Sequence, residues 1–150
     1  MAEFVNNDIQ IVQPNQPVIF DNAIGCSRGY IFHTNQSGVL TLKGAVANNG
    51  NFARYQVTFN GNIAIPTDYT VGPIAVAIAR AGEPILTSRA IVTPADVDDY
   101  FNVTSTAIIT VPRGCCFDIS VENVSEPSAP TAASPAINVQ NANLVVTRIA

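Results

Sequence analysis

From Ala53 to Pro66 the chain reads "ARYQVTFNGNIAIP", with Tyr55, Val57 and Phe59 on one parity and Gln56, Thr58 and Asn60 on the other. Successive side chains of an extended chain point to opposite faces, so this alternation predicts a half-buried β-strand. Gly61, inside "FNGN", is read as a turn or a bulge within a longer strand, because glycine reaches positive φ at little cost.

The same reading extends along the chain. "DIQIVQ" alternates weakly and marks a short N-terminal strand or arm, and "PVIFDN" holds a first core strand near Val18 to Phe20. "YIFHT" (30–34) and "GVLTLKGAV" (38–46) form a hairpin joined by "NQSG", with Leu40 and Leu42 opposed to Val39 and Thr41. "VGPIAVAIAR" is almost wholly apolar, "AGEP" is a turn, and "ILTSRAIVT" is the return strand. The alanines alternating with isoleucine and valine there permit close packing on another sheet or subunit. "PADVDDYFNV" is read as a short helical turn or loop before the strand "TSTAIITV". "CCFDISVENV" is another strand, "SEPSAPTAASPA" (125–136) an exposed loop, and "INVQNANLVVTRIA" a closing strand. Eight to ten strands with long returns predict an all-β jelly-roll sandwich, with an immunoglobulin-like sandwich or a simple meander as alternatives.

Composition reinforces the fold class. Isoleucine and valine number 33 against four leucines, which favours β-branched pleated surfaces, and fifteen asparagines supply turns. A length of 150 residues fits one domain. Charged residues are only 12%, roughly half the usual fraction. So sparse a charge suggests that a partner covers part of the surface, since paired uncharged polar groups are cheaper to bury than charges.

Function classes narrow accordingly. A net charge of −4 without a basic tract disfavours nucleic acid. No long apolar run indicates membrane insertion, and the polar start "MAEFVNNDIQIVQPNQPV" does not read as a secretion signal. Surface location is therefore expected through assembly, fusion or release. Sequons at Asn35, Asn102 and Asn123 are what an asparagine- and threonine-rich chain produces by chance.

Candidate chemistry is thin. Cys115 and Cys116 are adjacent and in a regular strand would point to opposite faces, which disfavours a bridge between them. The readings are free thiols, one in the core and its neighbour near an interface or open surface; a disulfide from one of them to Cys26; or a metal site, for which Cys26 and His33 lack zinc spacing. A cysteine nucleophile served by His33 is weaker than a packed histidine. Asp96, Asp98 and Asp99 lack the EF-hand pattern and read as a solvated loop, with a calcium loop as the alternative. Glu83 precedes a turn proline and Glu122 lies on the strand after the cysteines, and neither has an identifiable acid/base partner. "GCSRG" is not a dinucleotide fingerprint, and Arg113 closes a turn with Pro112 and Gly114. No cofactor, metal ligand set or catalytic residue is assigned, and the chain is read as a non-enzyme.

The segments "YQVTFNGNIAIP", "GPIAVAIARAGEPI", "YFNVTSTAIITVPRGCCFDISVENV" and "INVQNANLVVTRIA" together resemble the trimeric jelly rolls of the complement globular-head and tumour-necrosis-factor superfamily. More narrowly, they are similar to its bacterial and phage branch, including the C-terminal heads of collagen-like spore-surface proteins. The resemblance covers residues 17–150 and implies a ten-strand sandwich assembled as a homotrimer, with variable outer loops making contacts. Carried onto this chain, it makes Tyr55, Val57, Phe59, Phe101, Ile119 and Ile149 core or trimer-interface candidates. The family's glycine-repeat stalk is replaced by residues 1–16, read as an anchoring arm with Phe4, Ile9 and Ile11 as its apolar contacts.

The expected function is that of a structural protein of a bacteriophage particle: a capsid decoration or head-fibre component on the virion surface, held to capsid or other virion proteins by its arm. The alternative is a bacterial cell-surface or spore-surface head acting in adhesion or carbohydrate binding, with a host-surface glycan as ligand.

Overall fold

The computed structural model describes residues 1–24, 29–45 and 49–150. Among them are twelve strands and one 3-10 turn. In chain order the strands are β1 (Ala2–Asn6), β2 (Gln10–Val12), β3 (Asn22–Ile24), β4 (Ile31–His33), β5 (Leu40–Lys43) and β6 (Phe52–Ala64), then β7 (Ile74–Arg80), β8 (Glu83–Pro84), β9 (Ala90–Val92), β10 (Phe101–Pro112), β11 (Cys116–Asn123) and β12 (Ile137–Arg148). The 3-10 turn, Leu86–Ser88, separates β8 from β9.

The strands form two antiparallel sheets. The first runs β10-β6-β12-β1-β3, with β2 also against β12; the second runs β4-β5-β11-β7-β8, with β9 also against β7. Their facing sides enclose the core: Tyr55, Val57, Phe59, Ile109, Val111, Leu144 and Val146 from the first sheet meet Leu40, Leu42, Ile74, Val76, Ile78, Ile119 and Val121 from the second. This is a jelly-roll β-sandwich in which the long strands β6, β10 and β12 follow the alternation of their sequences.

Gly61 is neither a turn nor a bulge. β6 runs through it, paired with Val103 of β10, and a Cβ at Gly61 would stand 2.7 Å from the Phe59 ring. Glycine is needed there because an aromatic side chain two residues back on the same face lies across its backbone. The irregularity falls instead in β12, where the register against β6 shifts between Gln140 and Asn143 and Asn141 takes φ 54.

Several other expectations are corrected. Residues 1–16 are not set apart from the sandwich: β1 lies between β12 and β3, and Phe4 is 2% exposed in the core. The polar look of "EFVNN" misleads because only Ala2, Phe4 and Asn6 face inward, and buried Asn6 is satisfied by donating to the Ile19 carbonyl. Val18 and Phe20 are fully buried, but their segment makes only isolated bridges, Pro17 to Glu122 and Phe20 to Ser37. The return after Gly82 is broken into β8, the 3-10 turn and β9, with the Ser88 hydroxyl accepting from the Ile78 amide in the gap. "FNV" belongs to β10 rather than to the preceding loop.

Candidate functional site

The outer face of the first sheet is the most regular exposed feature. Cross-strand rows place Thr106 beside Thr58 and Val145, Thr104 beside Asn60 and Asn143, and Ile108 beside Gln56 and Thr147. Inward residues of β10 and β6 are apolar except Ser105, whose hydroxyl donates to the Ser88 carbonyl, so the intervening threonines and asparagines are turned outward. They bond to one another: Asn60 Nδ2 donates to Asn102 Oδ1 at 3.1 Å and to Thr104 Oγ1 at 2.9 Å, Asn102 Nδ2 donates to Asn62 Oδ1 at 3.1 Å, and Thr58 and Thr106 share a 3.2 Å bond. Among the described residues, charge reaches only the margins of this field, at Glu3, which accepts from Asn143, and at Arg54. Ile108 stands 61% exposed within it. Such a face is fixed in shape, uncharged, and cheap to desolvate compared with an ordinary protein surface.

The residues singled out from the sequence divide between core and surface. Tyr55, Val57, Phe59 and Ile119 are enclosed in the core, whereas Phe101, on β10, and Ile149 are exposed. Of the arm residues, Phe4 is buried and therefore unavailable to a partner, while Ile9 and Ile11 are exposed. Ile19 and Ile24 add further exposed apolar surface from the same N-terminal region, and the Gln10 side chain holds Ile19 by pairing with both its amide and its carbonyl.

Cys115 and Cys116 are both exposed, so neither thiol fills the core. Cys115 lies in the turn before β11 rather than in the strand, which removes the alternation that placed one thiol inward. This turn docks on Gly44, whose amide donates to the Cys115 carbonyl at 2.8 Å. A Cβ at Gly44 would stand 1.9 Å from the Pro112 carbonyl oxygen, so the close approach requires glycine. The Cys26 disulfide reading falls outside the described residues.

The structure separates His33 from the cysteines. His33 pairs with Leu40 on β5 while Cys116 pairs with Lys43, about 10 Å further along that strand at about 3.3 Å per residue. The imidazole packs on Phe4, ring centres 4.9 Å apart, and Nε2 meets the Ser37 carbonyl at 2.9 Å. Asp96 caps the Val97 amide and Asp98 accepts from Asn138, and among the described residues no three His, Cys, Asp or Glu side chains gather as a metal site.

Two polar features were not legible in the sequence. Arg89 Nη1 pairs with Glu126 Oε1 at 3.0 Å, across a cleft between residues 71–75 and the loop from Glu126 to Ser128. Glu122 is 7% exposed on the outer side of the second sheet, and this burial pushes its carboxyl above the ordinary glutamate range, with the Ser120 hydroxyl bond opposing the shift. Glu122 shares the outward parity of β11 with Asp118 and Ser120. Pro17 pairs antiparallel with Glu122 across the sheet and contributes to its burial.

No protein-family model matches the chain, and no curated protein sequence matches it. Among solved structures it is similar to the globular domain of zebrafish complement 1qA protein, at 15% identity and a TM-score of 0.54, over 96% of this chain and 94% of that one. The chain shares that domain's jelly-roll fold.

Proposed function

We propose that the chain is a non-catalytic structural module that assembles as a homotrimer through the outer face of the first sheet and serves as a capsid decoration or head-fibre component of a phage particle. The observation that carries the reading is the uncharged asparagine and threonine field of β10, β6 and β12, with Ile108 exposed on its β10 edge. A second copy would cover such a surface at little desolvation cost, and closed cyclic symmetry would leave no copy with an open face. Exposed Ile9 and Ile11 are the proposed anchor to a capsid or other virion protein. Similarity in fold to the complement domain is compatible with this role and does not select it, because one fold hosts many functions.

Native mass spectrometry of the full chain should give a trimer. The double variant Thr58→Arg/Thr106→Arg should give monomers with an unchanged far-ultraviolet circular dichroism spectrum, because the new charges are desolvated without partners. A monomeric native protein would overturn the assembly reading. Mass spectrometry of purified particles should detect the chain, and Ile9→Lys/Ile11→Lys should release it; particles lacking the chain would overturn the virion role.

The cleft beside the Arg89–Glu126 pair favours a second reading, an adhesion head on a bacterial cell or spore that binds a surface glycan through the 125–136 loop. Glycan-array binding lost on replacing that loop, with assembly intact, would support it.

A further inference from the structure

On the outer side of the second sheet, where β5 gives way to the crossing segment around Pro17, a cavity of about 400 Å³ opens over β11. Pro17 and Val39 form one wall and the turn at Ala81 and Gly82 forms the other. Both walls are pinned by main-chain bonds: the Val18 amide donates to the Val121 carbonyl and the Ala81 amide to the Asp118 carbonyl, each at 2.7 Å. Along the floor, Asp118, Ser120 and Glu122 project to the same side at alternate positions.

The two carboxylates are half satisfied. Glu122 Oε1 accepts from the Ser120 hydroxyl at 3.0 Å, and Asp118 Oδ1 accepts from the Thr41 hydroxyl at 2.6 Å. Among the described residues, no hydrogen-bond donor reaches Glu122 Oε2, and no lysine or arginine forms an ion pair with either carboxylate. The cross-strand neighbours on β7 are where a counter-charge would ordinarily stand. Opposite Glu122 is Ala77, and opposite Ser120 is Ala79. Four nearby or sheet-borne cations lie instead over aromatic rings, Lys43 on Phe32, Arg54 on Phe52, Arg80 on Phe117 and Arg148 on Tyr30.

Glu122 is thus a largely buried carboxylate with no cationic partner among the described residues, and its second oxygen is open to the cavity beside small side chains. We infer that this cavity is a receptor for a primary ammonium group on an aliphatic stem, either a free alkylamine or a lysine side chain of a bound protein. The ammonium hydrogens meet Glu122 Oε2 and the lone pairs of Ser120 Oγ, while the stem lies against Pro17 and Val39. A guanidinium suits the site less well, because its planar fork seeks two free oxygens of one carboxylate and Glu122 offers one. A divalent cation would want six or more oxygen ligands, and the cavity supplies two carboxylates separated by four residues of strand, about 13 Å between α-carbons at about 3.3 Å per residue. Sugar recognition would be expected to use an aromatic platform, and no aromatic residue lines the cavity.

The test uses the full chain in phosphate buffer, free of amine buffers. Calorimetric titration with n-pentylamine and with the peptide acetyl-Ala-Lys-Ala-amide should each show saturable binding, the stronger ligand identifying the source as a free amine or a protein lysine. Glu122→Gln should weaken both at least tenfold, and Ser120→Ala should weaken them less. Acetyl-Ala-Gln-Ala-amide should not bind. Absence of binding by both amines, or equal binding by the native chain and Glu122→Gln, would overturn the proposal. Because glutamine keeps the shape of Glu122 and can still accept the Ser120 bond, this variant should remain folded, which circular dichroism checks.

Discussion

The Tyr55 hydroxyl, on β6 of the first sheet, donates a 2.6 Å hydrogen bond to the carbonyl oxygen of Lys43 at the end of β5 in the second sheet. Tyr55 is fully buried, and the enclosure pushes its phenol above the usual range despite the nearby Arg148 guanidinium. The residue therefore packs as a core aromatic and also ties one sheet to the other.

Tyr55→Phe should keep the packing and orphan the Lys43 carbonyl. Losing this part-buried bond should cost on the order of 1 kcal/mol. Urea unfolding at fixed protein concentration should show a lower midpoint with an unchanged slope; an unchanged midpoint would show that the carbonyl finds another donor.

Asn123 joins three separate segments. Fully buried, it donates through Nδ2 to the carbonyls of Val12 at 3.0 Å and Pro135 at 2.9 Å, and its Oδ1 accepts from the Ser125 amide at 3.0 Å. Asn123→Ala should cost more than about 2 kcal/mol, since it strands several buried main-chain groups at once. Hydrogen exchange should report the loss first at the ends of β2 and at residues 134–136. The same burial predicts that the Asn123 sequon stays unmodified in folded protein, unlike exposed Asn35.

Gly61→Ala tests the Phe59 contact by its sign. Replacing a strand glycine where space allows typically stabilises by about 0.4–1 kcal/mol through the unfolded chain. Here the new methyl collides with a fully buried ring, so a net loss of about 1–3 kcal/mol is expected. A thermal midpoint that rises instead would mean the ring has room to move.

Glu122 gives a pH signature. Its folded carboxyl holds a proton more tightly than the ordinary value of about 4.3. The native state is thus favoured by protonation below the ordinary value, and that advantage is lost as pH rises through the raised folded value. Glu122→Gln should match the native chain in stability at acid pH and exceed it at neutral pH in the absence of amines. A variant less stable at neutral pH would show that the carboxylate is compensated in the fold.

Much of the sandwich was legible because β6 and β10 each carry a dozen or so residues of alternation, and β12 alternates after its irregularity at Gln140 to Asn143. β7 was legible for another reason: Ile74, Val76 and Ile78 face the core while Ala75, Ala77 and Ala79 are covered on the other side, giving a continuous apolar run. Two- and three-residue strands such as β8 and β9 are too short for any period, and their pairing depends on the turn at Ala81 and Gly82. β1 was misplaced because its inward face contributes one large side chain, Phe4. Nothing in "SVENV" marks Glu122 as enclosed, because Pro17, more than a hundred residues upstream, supplies the wall. The uncharged field around Asn60 was written in the sequence as threonines and asparagines alternating with apolar residues, but its continuity across three strands depends on register.

β12 occupies the centre of the first sheet, pairing with β6, β1 and β2. During synthesis, then, β6 and β1 wait with open backbone edges until residues 137–148 leave the ribosome. The pairings of β12 with β1 and β2 span more than a hundred residues and that with β6 spans only somewhat fewer, so closure is a late, slow event governed by long loops rather than local helices or hairpins. Waiting edges of that length are sticky, and the sparse charge of this chain offers little repulsion to keep neighbouring nascent copies apart. Yield in a heterologous host should therefore depend more on translation rate and temperature than on the equilibrium stability of the finished sandwich.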